Sequence, residues 1–174
     1  MRRRDLLIGA GSLAAVGGGA AVAFDVIGSS EAAVDELELE TIDAPGSSAG
    51  TTAVPALGQV TFVEMFATWC TICQAMMPDL AATNAAVGDD VQFISVTNEP
   101  LGNTVTRDDV AAWWADHGGE WTVAADPELE LTRALDASGV PYSFVLDEAN
   151  RIRWRHRGHS DRTEMESQIR AVLE

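Results

Sequence analysis

Hydrophobic and polar positions alternate along this chain in blocks whose period switches between two and about 3.6, which is the signature of strands interleaved with helices. Gln59 to Phe66 reads Gln-Val-Thr-Phe-Val-Glu-Met-Phe, a strand pattern, and is followed by a helical pattern from about Cys70 to Val87. Val91 to Thr97 is apolar enough for a central strand. Asp108 to His117 then reads as a helix, Trp121 to Ala125 as a short strand, and Pro127 to Leu135 as another helix. Tyr142 to Leu146 and Ile152 to His156 form a hairpin across Asp147-Glu-Ala-Asn, and Thr163 to Leu173 closes the chain as a helix. Leu37 to Ile42 alternates apolar and acidic residues as an edge strand does, whereas Ala44 to Ala56 is a Gly/Ser/Pro loop. Trp113, Trp114 and Trp121 read as core anchors. The expected fold is α/β, with one mixed sheet flanked by helices and a helix inserted after the second central strand.

The first residues belong to a different pattern. Arg2, Arg3 and Arg4 precede an apolar stretch from Leu6 to Phe24 dominated by Gly and Ala, which resembles a twin-arginine export signal. Its length is near the lower limit for a membrane span, so both cleavage, at a small-residue site such as Ala21-Val-Ala23, and retention as an anchor are open. No cysteine lies near it, which removes a lipid-anchored form. Residues 25–36 read as an acidic spacer, leaving one domain at 37–174. The protein is thus expected outside the cytoplasm, anchored or secreted.

Charge narrows the choice further. The chain carries 27 acidic residues against 11 basic ones, all arginine, for a formal net charge of −16. This excludes a nucleic-acid binder. Such an acidic surface suits molar salt, where repulsion is screened and carboxylates hold water and cations, and it resembles that of an exported protein of a halophilic archaeon.

Both cysteines of the chain, Cys70 and Cys73, fall at the junction of the first apolar run with its helical pattern. A strand ending at Phe66 delivers Cys70 to the first turn of a helix, where unpaired N–H groups and the positive end of the macrodipole favour a thiolate. On these residues alone, a redox pair, half of a metal site and a structural disulfide all remain open.

The surroundings of this pair resemble the thioredoxin superfamily, most closely the TlpA/ResA-like thiol–disulfide oxidoreductases, over about Leu37 to Glu174. The matching features are the strand leading into Ala67-Thr-Trp-Cys, Pro78 at the distance where that family's first helix is kinked, and Gly139-Val-Pro-Tyr, which is similar to its cis-proline loop. The resemblance implies that Cys70 attacks a protein disulfide and Cys73 resolves the mixed disulfide, without bound organic cofactor or metal. It implies substrate docking along Trp69, Val140 and Pro141. Protein substrates such as apocytochrome c, a membrane electron donor of the CcdA/DsbD type and a monomeric state are implied in the same way. Thr71-Ile72 between the cysteines departs from relatives that have proline before the second cysteine, so reductant and oxidant are both open.

Glu64 lies six positions before Cys70 inside an otherwise apolar strand. A buried aspartate at the matching position of thioredoxins helps move the second cysteine's proton, and Glu64 inherits that role by resemblance. Burial raises such a carboxyl toward the range of a general acid or base. The competing expectation points Glu64 to water on a half-exposed strand. Met76 and Met77 read as core filler rather than copper ligands. A copper-delivery module of the Sco kind is the alternative function, but those proteins have three residues between their cysteines, and His156 and His159 here are interleaved with Arg153, Arg155 and Arg157. The Arg/His stretch reads as a solvated edge strand, and His117 as a complement to a helix C-terminus.

Overall fold

The computed structural model describes residues 32–102 and 104–174. The export signal, its cleavage site and most of the spacer therefore lie outside the described residues. Strands β1 (Leu37–Thr41), β2 (Gly50–Val54), β3 (Val60–Phe66), β4 (Val91–Thr97), β5 (Thr122–Ala125), β6 (Tyr142–Leu146) and β7 (Ile152–Arg157) join into one sheet in the order β2-β1-β5-β4-β3-β6-β7. The pairs β3/β4 and β4/β5 are parallel and the others antiparallel. Helices α1 (Thr71–Val87), α2 (Arg107–Asp116), α3 (Glu130–Ala134) and α4 (Arg162–Leu173) cover its faces.

Every residue of β3 is buried, because helices lie against both faces of the centre of the sheet. Its alternation splits the core in two. Val60, Phe62 and Phe66 join residues of α1, α2 and α4 on one face, while Val63 and Met65 meet Leu131 and Leu135 around α3 on the other. Phe62 stacks on Phe93 at 4.5 Å between centroids, and Trp114 meets Trp121 edge-on at 4.6 Å. Each large side chain buried this way contributes about 1.5–3 kcal/mol. Trp114 and Trp121 are core anchors, and Trp113 is half-buried against Phe66. Met76 and Met77 are both in the core.

Four local expectations are corrected. Strand β1, expected at an edge, lies between β2 and β5. The segment expected as a loop from Ala44 to Ala56 contains β2, whose half-exposed edge position lets Thr51 and Thr52 pair with β1 without an alternating apolar signal. The helix expected from Pro127 starts only at Glu130, because Leu129 is left-handed, with φ 59°. Asp126 caps it from a distance: its carboxylate accepts from the N–H groups of Glu130 and Thr132, both at 2.8 Å, and from the Thr132 hydroxyl at 2.7 Å. Finally, Val34 of the expected spacer is buried and its N–H donates to the Asn150 carbonyl at 2.9 Å, so folded structure reaches back before Leu37.

Candidate active site

Strand β3 ends at Phe66, and the turn Ala67–Cys70 closes with the Cys70 N–H donating to the Ala67 carbonyl at 3.0 Å. Cys70 then stands at the N-cap of α1 in extended conformation, and its Sγ accepts from the Cys73 N–H at 3.1 Å. The position that usually takes Ser, Thr, Asp or Asn is thus held by a sulfur. Cys70 and Cys73 form a disulfide with Cα atoms 5.2 Å apart. Both cysteines are buried, Cys70 at 6% exposure and Cys73 at 1%. Pro78 lies inside α1, which continues to Val87.

Exposed apolar groups flank the pair. Trp69 is 71% exposed and Ile72 48%. Val140 is half-buried and packs against the core cluster that contains both cysteines, and the Val140–Pro141 peptide is cis, with Pro141 buried. Trp69, Val140 and Pro141 carry the docking expectation, and the exposure of Ile72 adds an apolar group between the two cysteines in sequence.

Glu64 is buried, which removes the solvent-facing expectation. Its place in β3 between Phe62 and Phe66 puts it on the α1 face, and the register sets it beside Ser95 of β4 and Ser143 of β6. Among the described residues neither carboxyl oxygen has a hydrogen-bond partner. Burial pushes its pKa from 4.5 up to about 8; the Ser95 hydroxyl opposes the shift without reaching hydrogen-bond geometry. Ser95 itself accepts from Trp121 Nε1 at 3.0 Å.

One acid of this region escaped the sequence. Glu99 follows β4, is buried, and accepts from the Thr68 N–H at 2.8 Å and the Thr68 hydroxyl at 2.9 Å. Its setting in Asn98-Glu99-Pro100 gives the ordinary appearance of a solvated loop acid. The remaining polar candidates serve structure. His117 Nδ1 lies 2.6 Å from the Trp113 carbonyl at the end of α2. His156 Nε2 meets the backbone carbonyl of His159 at 3.1 Å and its Nδ1 lies 3.6 Å from Glu164. Among the described residues no cluster of His, Cys, Asp or Glu is arranged to hold a metal ion, and no helix is long and apolar enough to cross a membrane.

A mixed sheet with a Cys-x-x-Cys pair at the start of the helix that follows its central strand defines a thioredoxin-like fold. The chain belongs to the Redoxin family, whose model matches residues 30–173. It is similar to a thiol:disulfide interchange protein TxlA homologue of Synechocystis, 53% identical over 107 residues, covering 53% of this chain and 59% of the relative. It is also similar to the thiol:disulfide interchange protein HelX of Rhodobacter capsulatus, 28% identical over 102 residues, covering 58% of this chain and 53% of the relative. The chain therefore spans little more than half the length of these curated relatives. Among solved structures, a DsbF homologue of Corynebacterium diphtheriae superposes with a TM-score of 0.70 at 17% identity, covering 83% of this chain and 88% of that one. StoA of Bacillus subtilis gives 0.66 at 18%, covering 78% and 96%.

Proposed function

We propose that this protein is a thiol–disulfide oxidoreductase acting on protein substrates outside the cytoplasm. The observation that carries the reading is the placement of the pair: Cys70 at the N-cap of the helix that follows the central strand, 6% exposed, bonded to Cys73 at 1%. The interchange names of the relatives support it.

In the reduced protein, Cys70 thiolate attacks one sulfur of a substrate disulfide docked along Trp69, Ile72, Val140 and Pro141. A mixed disulfide forms and the first substrate thiolate leaves. Cys73 then loses its proton and attacks Cys70 Sγ, releasing the second substrate thiolate; two thiols of the protein become a disulfide as one substrate disulfide becomes two thiols. Glu64 exchanges the proton of Cys73. Burial raises the Glu64 pKa to about 8, into the range where a carboxyl can both give and take a proton near neutral pH. Protonated Glu64 suits the oxidised form, in which it supplies a proton to Cys73 as the disulfide opens. Re-reduction outside the cytoplasm needs a membrane dithiol donor of the CcdA/DsbD type, and the candidate substrates are the haem-attachment cysteines of apocytochrome c and the cysteines of a copper-site protein. Twin-arginine export and adaptation to high salt, resembling a halophilic archaeal protein, complete the reading from Arg3, Arg4 and the net charge of −16.

A redox titration of the protein in molar KCl, with thiol alkylation read by intact mass, tests the core of this. A reversible two-electron transition is expected, with Cys73→Ser trapping a mixed disulfide through Cys70. Absence of a reversible transition would refute it. A potential near −270 mV would assign a reductant and one near −120 mV an oxidant, by comparison with about those values for thioredoxin and DsbA.

A further inference from the structure

Glu99 is a buried carboxylate whose hydrogen bonds come from uncharged donors: the Thr68 N–H and hydroxyl at 2.8 and 2.9 Å, and the Thr97 hydroxyl at 3.1 Å. Its own N–H donates to the Thr97 hydroxyl at 3.3 Å, which fixes the carboxylate to the end of β4. Burying an anion among uncharged groups is unfavourable. What it grips is therefore informative. Thr68 is held by backbone and side chain together, inside the turn that closes with the Cys70 N–H on Ala67, and one residue, Trp69, separates it from Cys70. The turn must present Cys70 Sγ to the Cys73 N–H, so a tether on Thr68 acts on the orientation of the sulfur.

We propose that Glu99 is a positioning residue of the dithiol site: its carboxylate anchors the turn before Cys70 to β4, holding Cys70 at the helix cap, and its charge restrains the acidity of the Cys70 thiol. The proposal rests on Cys70 being the reactive thiol. Helix α1 favours the thiolate through its N-terminal dipole, and a negative charge tethered at the preceding turn opposes that effect. Titratable groups on the elements meeting here include Cys73 and Asp79 of α1, Glu64 of β3 and buried Asp126, whose N–H donates to the Thr97 carbonyl at 2.8 Å; the loop before β6 contributes Val140 and Pro141, with Arg157 beside Gly139.

Glutamine separates position from charge, because its amide keeps an acceptor for the Thr68 N–H. In a Cys73→Ser background, with Glu64 unchanged throughout, the pH dependence of Cys70 alkylation gives its pKa, and attack on a small disulfide at the high-pH plateau reports its placement. Glu99→Gln should lower the pKa by about one unit, a tenfold rise in thiolate below it, with the plateau rate falling only about threefold, as a more acidic thiolate is the weaker nucleophile. Glu99→Ala should cut the plateau rate about tenfold for want of the tether. Unchanged pKa in Glu99→Gln overturns the charge role, whether or not the alanine variant folds, and an unchanged plateau in a folded Glu99→Ala overturns the positioning role. If Cys70 does not titrate or react even with Glu99 intact, the oxidoreductase reading fails first and this one with it.

Discussion

Replacing Glu64 with glutamine should change the pH dependence of stability more than stability itself. In the unfolded chain the carboxyl titrates at its ordinary 4.5, and in the folded protein burial raises this to about 8. Below pH 4.5 both states are protonated and the shift has no effect. Between the two values the unfolded chain has released a proton that the folded one retains, so stability falls as pH rises by about 1.4 kcal/mol per unit and levels off above pH 8. Over the whole window the loss is about 5 kcal/mol, of which about 4 kcal/mol falls between pH 5 and 9. Glutamine has no such titration, and its own burial penalty is independent of pH. Urea denaturation of the oxidised protein and of Glu64→Gln at half-unit pH intervals, in constant high salt, gives the difference directly, and groups common to both proteins cancel. The wild type should lose about 4 kcal/mol relative to the variant between pH 5 and 9. Curves that stay parallel within about 0.5 kcal/mol would show that Glu64 is solvated or paired in solution, which would also remove its role as proton partner of Cys73.

Trp114→Ala removes a buried ring that packs on Phe66 and Trp121 and donates to the Pro45 carbonyl at 3.2 Å, and it should cost about 3–5 kcal/mol in urea denaturation while leaving the intrinsic acidity of Cys70 unchanged. Gly46→Ala places a Cβ 2.0 Å from the backbone carbon of Glu120 at a φ of +74°; destabilisation of about 1–3 kcal/mol is expected from strain, measured in the same way. The acidic surface predicts a melting temperature that climbs from dilute buffer to molar KCl, and a flat profile would count against adaptation to salt.

The elements most legible in the sequence are those whose environment is uniform. Strands β3 and β4 are buried on both faces, so apolar residues occupy both faces of each and Glu64 stands out as the one charged residue in them. Strand β2 gave no such signal, since an edge strand of Gly, Thr and Ala owes its place to β1 rather than to a core face. Asp126 and Glu99 were invisible for a shared reason: each is an acid in a loop, and its value lies in donors the fold brings to it, the N–H groups of Glu130 and Thr132 for Asp126 and the N–H and hydroxyl of Thr68, 31 residues away, for Glu99. Cys70 and Cys73 were legible because their chemistry is local, resting on a spacing and a helix start.

The sulfur cap on α1 also ties electron transfer to folding. An N-cap accepts more strongly when it is anionic, so a reduced protein with Cys70 as thiolate caps its first helix better than the oxidised one, where the same sulfur is neutral. The shift of the pair's potential from its value in the unfolded chain and the difference in unfolding free energy between its two forms are then one quantity in two units, about 30 mV for each 1.4 kcal/mol. Any ligand, salt or substitution that steadies the first turn of α1 around a thiolate thereby moves the potential upward, and the redox poise of the protein can be followed with a denaturant curve as well as with an electrode.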